Sequence, residues 1–405
     1  MAIIMIDPDD RSRYAQYEKL LLICCSLAFA SYFASYMRIP VVPLFARELG
    51  ATTPEVGFIN SAFLLMSGAL ALPLGALSDR WGRKPLVLAG LAISGATSFL
   101  LCVGQTPGQL IWIYLLFGCG LAAIGPTLMS YTADISPPTH LGRSYGWYTT
   151  AIYTGMSLGP AAGGFLAQGL GFRPLFLVAG FVVFILLGLA AFFLPAADVT
   201  RPPLNKSAGS PGFIQLLNNR ALLGCWIVTL GGCFGLGMFV TFAPLFAHAQ
   251  NLTVGDVGLI FTAQAALNAL SRIPLGRVTD RLARRRGALS ALGFGVLGIS
   301  LGAFALAGGR LSFLLLAMAL GVSMGLAFTP LGALISETVP PEARGLAMGG
   351  YNTCIYLGMM LSSAFMGGVI QQVGFPFTFL LTGLLTVAVA AGFYVMIRDF
   401  KVSQE

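Results

Sequence analysis

The chain has 405 residues, of which 57% are hydrophobic and only 9% charged, and its mean hydropathy is +0.83. Soluble domains carry about 25% charged residues, so this composition excludes a soluble protein and indicates an integral membrane protein. The net charge of +8 sits in short segments between apolar runs, where membrane topology accounts for it without nucleic acid.

Residues 1–19 are polar, with Asp7, Asp9, Asp10, Arg11 and Arg13, and read as a cytoplasmic tail with no cleavable signal before the first span. Twelve apolar runs follow, at 20–45, 56–77, 86–104, 109–131, 146–168, 174–194, 221–246, 255–275, 288–307, 311–333, 346–370 and 376–397. About 20 residues carry an α-helix across the hydrocarbon, and the alternation of a β-barrel strand is absent. The longest polar interval, 195–219, holds Pro202, Pro203, Asn205, Lys206, Ser207, Gly209, Ser210 and Pro211. It reads as a cytoplasmic linker between a six-helix bundle over 20–194 and a second over 220–397, with a tail at 398–405. The predicted fold class is all-α integral membrane, with twelve transmembrane helices in two pseudo-symmetric six-helix bundles.

Basic residues set the orientation. With the N-terminus inside, eighteen of the 23 Lys and Arg residues fall on the cytoplasmic side; only Arg47, Arg173 and Arg310 fall outside, and Arg38 and Arg272 lie within or near the ends of spans. Both termini are expected in the cytoplasm. The seven cysteines (24, 25, 102, 119, 225, 233 and 354) all lie in apolar runs without metal-ligand spacing and read as small buried hydrophobes.

Between the second and third spans stands Gly75-Ala-Leu-Ser-Asp79-Arg80-Trp-Gly82-Arg83-Lys84-Pro85, and a second copy, Gly276-Arg-Val-Thr-Asp280-Arg281-Leu-Ala283-Arg284-Arg285-Arg286, occupies the same place in the second half. Asp134-Ile-Ser-Pro137-Pro138 is matched by Glu337-Thr-Val-Pro340-Pro341, and Gly171-Phe172 by Gly374-Phe375. Parallel six-span repeats related by an axis along the membrane normal are a transporter design, with substrate bound between the halves near the midplane. The spacing of Asp79 and Arg83 puts both on one side of a helical turn, within reach of Asp134; the repeat predicts the same arrangement for Asp280, Arg284 and Glu337. The alternative is that these charges only enforce orientation.

On these residues the chain resembles the major facilitator superfamily, whose signature between spans two and three matches Gly75 to Lys84. The resemblance implies rocker-switch alternating access with Gly75, Asp79, Arg80, Gly82, Arg83, Asp134, Gly276, Asp280, Arg281, Arg284 and Glu337 as a cytoplasmic gating network. Gly155, Gly159, Pro160, Gly163 and Gly164 in the fifth span resemble the antiporter motif of drug exporters, and Pro40-Val-Val-Pro43 resembles the tetracycline and multidrug branch. Two departures stand against proton coupling. Tyr114-Leu-Leu-Phe117-Gly118 lacks the arginine of the span-four motif, and Ser31 stands where tetracycline exporters carry an aspartate.

The residues carry their own argument. Gly155, Gly159, Gly163 and Gly164 clear a helical face for close packing, which serves ordinary helix contact as well as an ion-tight seal. None of the fifteen acids falls at the centre of a span, although intramembrane proton relays use buried Asp, Glu or His. Arg38 is the leading intramembrane charge, either a cavity residue or one that snorkels to the outer interface; Arg272 reads as structural. The expected cavity lining is Tyr32, Tyr36, Arg38, Asn60, Phe63, Tyr153, Phe234, Gln264, Asn268, Phe328, Asn352 and Tyr356, aromatic and amide groups suited to amphiphilic molecules. The expected function is a monomeric secondary transporter of the bacterial inner membrane that exports small amphiphilic organic compounds, with protons as a possible coupling partner. An organic-anion facilitator or exchanger using Arg38 and a non-transporting, receptor-like member are the alternatives. No enzyme, metal, cofactor or nucleic-acid role is expected.

Overall fold

The computed structural model describes residues 8–195, 216, 218–340 and 343–398; the linker expected at 195–219 falls mostly outside them. Its elements are α-helices joined by short turns: α1 (Pro8–Arg38), α2 (Val42–Glu48), α3 (Thr53–Trp81), α4 (Arg83–Val103), α5 (Pro107–Ile135), α6 (Leu141–Leu170), α7 (Phe172–Phe193), α8 (Arg220–Ala249), α9 (Val254–Arg281), α10 (Arg286–Ala303), α11 (Arg310–Thr338) and α12 (Arg344–Ile397). Gly374 (φ 80°) breaks α12 into two spans. It repeats Gly171 (φ 91°), which separates α6 from α7; glycine takes this left-handed conformation without a Cβ clash. With α1 and α2 forming one crossing, twelve spans result. The first helix differs from the expected tail: it begins at Pro8, twelve residues ahead of the predicted span.

Local signals fix the helix starts on the face opposite the charged hairpins. Thr52 and Glu55 form a capping box at α3, and Thr253 and Asp256 repeat it at α9, each satisfying backbone N–H groups that the helix leaves unpaired. Among the described residues nine helices are long and apolar enough to cross a membrane, counting α12 once. The less apolar α6 and α9 complete the bundle. They pack on each other, and polar groups of each, Gln168 and Thr262 among them, reach across to the other half.

The repeat extends into the packing. Gly155 lies against the Phe29 carbonyl of α1, and Gly358 lies identically against Leu230 of α8. Gly118 meets the Phe63 carbonyl as Gly321 meets that of Gln264. Equivalent residues are 201 apart up to Asp79 and Asp280, and 203 apart from Asp134 and Glu337 onward. The second half therefore gains two residues within its hairpin.

Candidate functional site

The first hairpin turns on Gly82 (φ 92°), which ends α3 and begins α4, so Arg83 is the first residue of α4. Its Nη1 lies 2.5 Å from Asp79 Oδ1 and its Nε lies 3.1 Å from Asp134 Oδ2. Nη1 also donates to Ser78 Oγ. In the second copy Ala283 cannot take the glycine conformation cheaply. Instead Leu282 stays at φ −107° and a single 3-10 turn over Ala283–Arg285 carries the chain into α10. The cation at the head of that helix is Arg286, which bonds Glu337 and lies 3.6 Å from Asp280.

This corrects the expectation that Arg284 would pair with Asp280 and Glu337. The longer turn carries Arg284 past its repeat position, and the change of spacing from 201 to 203 is the sequence signal that identifies Arg286. Arg80 and Arg281 are exposed in the last turns of α3 and α9, where the helix dipole favours cations. Each of these hairpin pairs lies within its own half, and Asp79 remains 64% exposed.

The halves meet closely at the opposite face. A Cβ on Gly57 would overlap the Ser363 carbonyl of α12, and one on Gly258 would overlap the Pro160 carbonyl of α6. These are equivalent contacts under the repeat. Gly164 fits against Val254 and Gly258, and Gly367 fits against Thr53 and Pro54. Hydrogen bonds reinforce the seam: Gly255 N–H donates to Gln168 Oε1 at 3.0 Å and Ala161 N–H to Thr262 Oγ1 at 3.0 Å. The antiporter-like glycines therefore have two jobs. Gly155, Gly159 and Gly163 seat α6 on α1, and Gly164 seats it on the other half. Toward the hairpin face, Gly75, Gly142, Gly146, Gly276 and Gly345 have open space around them.

At the inner end of this seam the Arg272 guanidinium of α9 lies over the Tyr153 ring of α6, 4.6 Å from its centroid. Its Nε donates to the buried Asn268 Oδ1 at 3.4 Å. Tyr356 holds the repeat position of Tyr153 and packs on Gly68 of α3 across the halves. Tyr32 and Tyr36 stack on α1 with centroids 6.4 Å apart. A cation and a phenol ring thus meet across the two halves, and Tyr356 makes a second cross-half contact at the repeat position. Asn352 is exposed on the hairpin side, donating to Met348 O, and Phe234 is half-buried.

Several expected lining residues lie elsewhere. Arg38 is 1% exposed and inside the first half. It donates to Thr97 Oγ1 and Ser98 Oγ at 3.2 and 2.7 Å and stacks 3.8 Å from the Phe117 ring centroid. It neither snorkels nor reaches the cavity, because the last turn of α1 aims it at α4 and α5. Phe239, its repeat equivalent, packs there on Phe261 and Phe304. Phe63 packs on Tyr114 and Phe117, and Phe328 on Phe294. The Gln264 amide donates to Met324 Sδ within the second half. Asn60 is 1% exposed with both amide atoms unpartnered, an arrangement that costs about 1–3 kcal/mol per group. Arg272, expected to be structural, is the charge that spans the halves.

Comparison with known proteins agrees with this architecture. The profile of the Major Facilitator Superfamily matches residues 24–255 and 233–404. An uncharacterized MFS-type transporter of Methanocaldococcus jannaschii is 24% identical over 94% of this chain and 99% of its own length. Multidrug resistance protein 1 of Bacillus subtilis is 27% identical over 68% of this chain and 70% of its own. The quinolone resistance protein NorA of Staphylococcus aureus is 26% identical over 60% of this chain and 63% of its own. Among solved structures, a bacterial homologue of the human lysosomal transporter Spinster, inward-facing and unoccupied, aligns with TM-score 0.80 at 15% identity, covering 96% of this chain and 99% of that one. The nucleoside transporter NupG aligns with TM-score 0.76 at 17% identity over 93% and 99%. The duplicated hairpins, the paired six-helix halves and the full-length profile match agree: the chain belongs to the major facilitator superfamily of membrane transporters.

Proposed function

We propose that the protein is a secondary active exporter of amphiphilic organic compounds that works by rocker-switch alternating access. The observation that carries this reading is the asymmetry of the seam. Glycine contacts join the halves at the face opposite the hairpins, while the hairpin charges pair within their own halves. With the hairpin face in the cytoplasm, as the basic residues place it, this is an inward-facing state of the kind named for the Spinster homologue. The resemblance to two drug-resistance proteins supports export, and apolar walls with few polar groups suit amphiphiles. In this reading release of Arg83 from Asp134, or of Arg286 from Glu337, couples the hairpins to the switch.

The test is reconstitution in liposomes with an imposed pH gradient, following a cationic dye and an aromatic carboxylate. Dye movement that follows the gradient supports the proposal; dye movement indifferent to it removes proton coupling. Arg272 favours a second reading, transport of organic anions, because an intramembrane cation stacked across the two halves attracts a carboxylate. Selective movement of the carboxylate would establish that reading instead.

A further inference from the structure

A cavity of about 290 Å³ opens at the hairpin end of α10, α11 and α12, lined by Arg284, Arg285, Arg286, Arg398, Tyr394 and Leu334 among others. Among the described residues that line it, four are arginines and none is acidic. Arg286 is balanced by Asp280 and Glu337, whereas Arg284 and Arg285 are exposed and make no ion pair among the described residues. Helix α10 starts here without a side-chain cap, and Gly287 and Ala288 of its first turn face the cavity. The Arg286 N–H is taken by the Ala283 carbonyl of the preceding 3-10 turn, so the guanidinium forks are what favours a phosphate oxygen here.

The first half explains why the cavity exists. At the equivalent place Lys84 donates its Nζ to the Ala191 carbonyl at 2.8 Å, and the Tyr131 hydroxyl donates to the Pro195 carbonyl at 3.0 Å. The repeat partners of Lys84 and Tyr131 are Gly287 and Leu334, and those of Ala191 and Pro195 are Tyr394 and Arg398. The second half has thus lost both plugs and gained arginines. The cavity also continues onto apolar surface that faces lipid: Leu292, Val296 and Ile299 on α10 and Val395 on α12 are exposed.

We propose that this cavity binds the headgroup of an anionic phospholipid, with the phosphate held by Arg284 and Arg285 and the acyl chains lying along α10 and α12. A basic pocket between helices on one membrane face recognises such headgroups. The apolar path leading from it selects a lipid over a free anion.

Native mass spectrometry of the purified, detergent-solubilised chain tests this with phosphatidylglycerol, phosphatidylcholine and inorganic phosphate as probes. Phosphatidylglycerol is expected to bind at least tenfold more tightly than phosphatidylcholine, and inorganic phosphate at equal concentration to leave it in place. Arg284→Gln with Arg285→Gln should weaken phosphatidylglycerol by about thirtyfold. Thermal unfolding of the double variant checks that it folds. Equal binding of the two lipids, or unchanged phosphatidylglycerol binding in the folded double variant, overturns the proposal. Displacement by inorganic phosphate makes the site a free-anion site and overturns the lipid assignment. The readout is independent of transport, so it stands or falls separately from the proposed export activity.

Discussion

Substitution of Gly258 by alanine tests the seal at the seam directly. The added Cβ would sit 2.4 Å from the Pro160 carbonyl oxygen and 3.1 Å from the Gly164 Cα. Both neighbours are backbone, so no rotamer change relieves the clash. Real Cβ contacts below 3.0 Å are essentially absent, so α6 and α9 must part by about 0.6 Å or more. Overpacking of this kind costs about 1–3 kcal/mol. The cost falls on the state in which the halves meet at this face and is relieved when they separate. A difference of 1–3 kcal/mol shifts a two-state ratio by about 5–150-fold. Spin labels at Gly169→Cys and Gln250→Cys, one on each half near this face, report the separation in a background without the seven native cysteines. The long-distance population should grow with Gly258→Ala and further with Gly258→Leu. Gly276→Ala, with nothing within 4 Å of the new Cβ, should leave it unchanged. A distance distribution unaltered by Gly258→Leu would falsify the idea that this glycine seals the seam.

Other substitutions separate the remaining assignments. Arg286→Gln should lower the thermal midpoint by releasing Asp280 and Glu337, whereas Arg284→Gln should not; the reverse ranking would restore the simple register of the repeat. Arg38→Met should leave the thermal midpoint unchanged or raise it, since a buried charge replaced by a hydrophobe of similar volume is often neutral or stabilising. A drop of several degrees would mean that the hydroxyl and aromatic contacts of Arg38 outweigh its desolvation. Arg272→Ala should reduce carboxylate transport in liposomes by about 2–30-fold, the value of a cation–π or ionic contact of about 0.5–2 kcal/mol. Arg272→Lys should recover part of that loss, and equal transport by all three forms would remove Arg272 from the cavity.

Much of the architecture was legible in the chain. Apolar runs of membrane length, the duplicated hairpins and Gly171 with Gly374 specify two six-helix halves, because helix length and left-handed turns are local properties. The glycine register of α6 marked a packing face, though not which neighbour each glycine meets. The side-chain assignments were less legible. Arg38 and Arg272 both read as intramembrane cations, yet one is sealed inside a half and the other bridges the two. Phe63 and Phe328 look like cavity aromatics by spacing but pack inward.

The sequence by itself determined the membrane class, the twofold repeat and the charged hairpins, since all follow from composition and spacing. It also carried the two-residue insertion that promotes Arg286, visible once the second-half offsets are compared. Only the tertiary structure decided which face of each helix meets lipid, its own half or the other half. That choice depends on the rotation of a helix about its axis, which is set by the glycine contacts of its neighbours. The open cavity beside α10 was decided there too: Gly287 and Leu334 leave a space only because Lys84 and Tyr131 show what fills it in the other half.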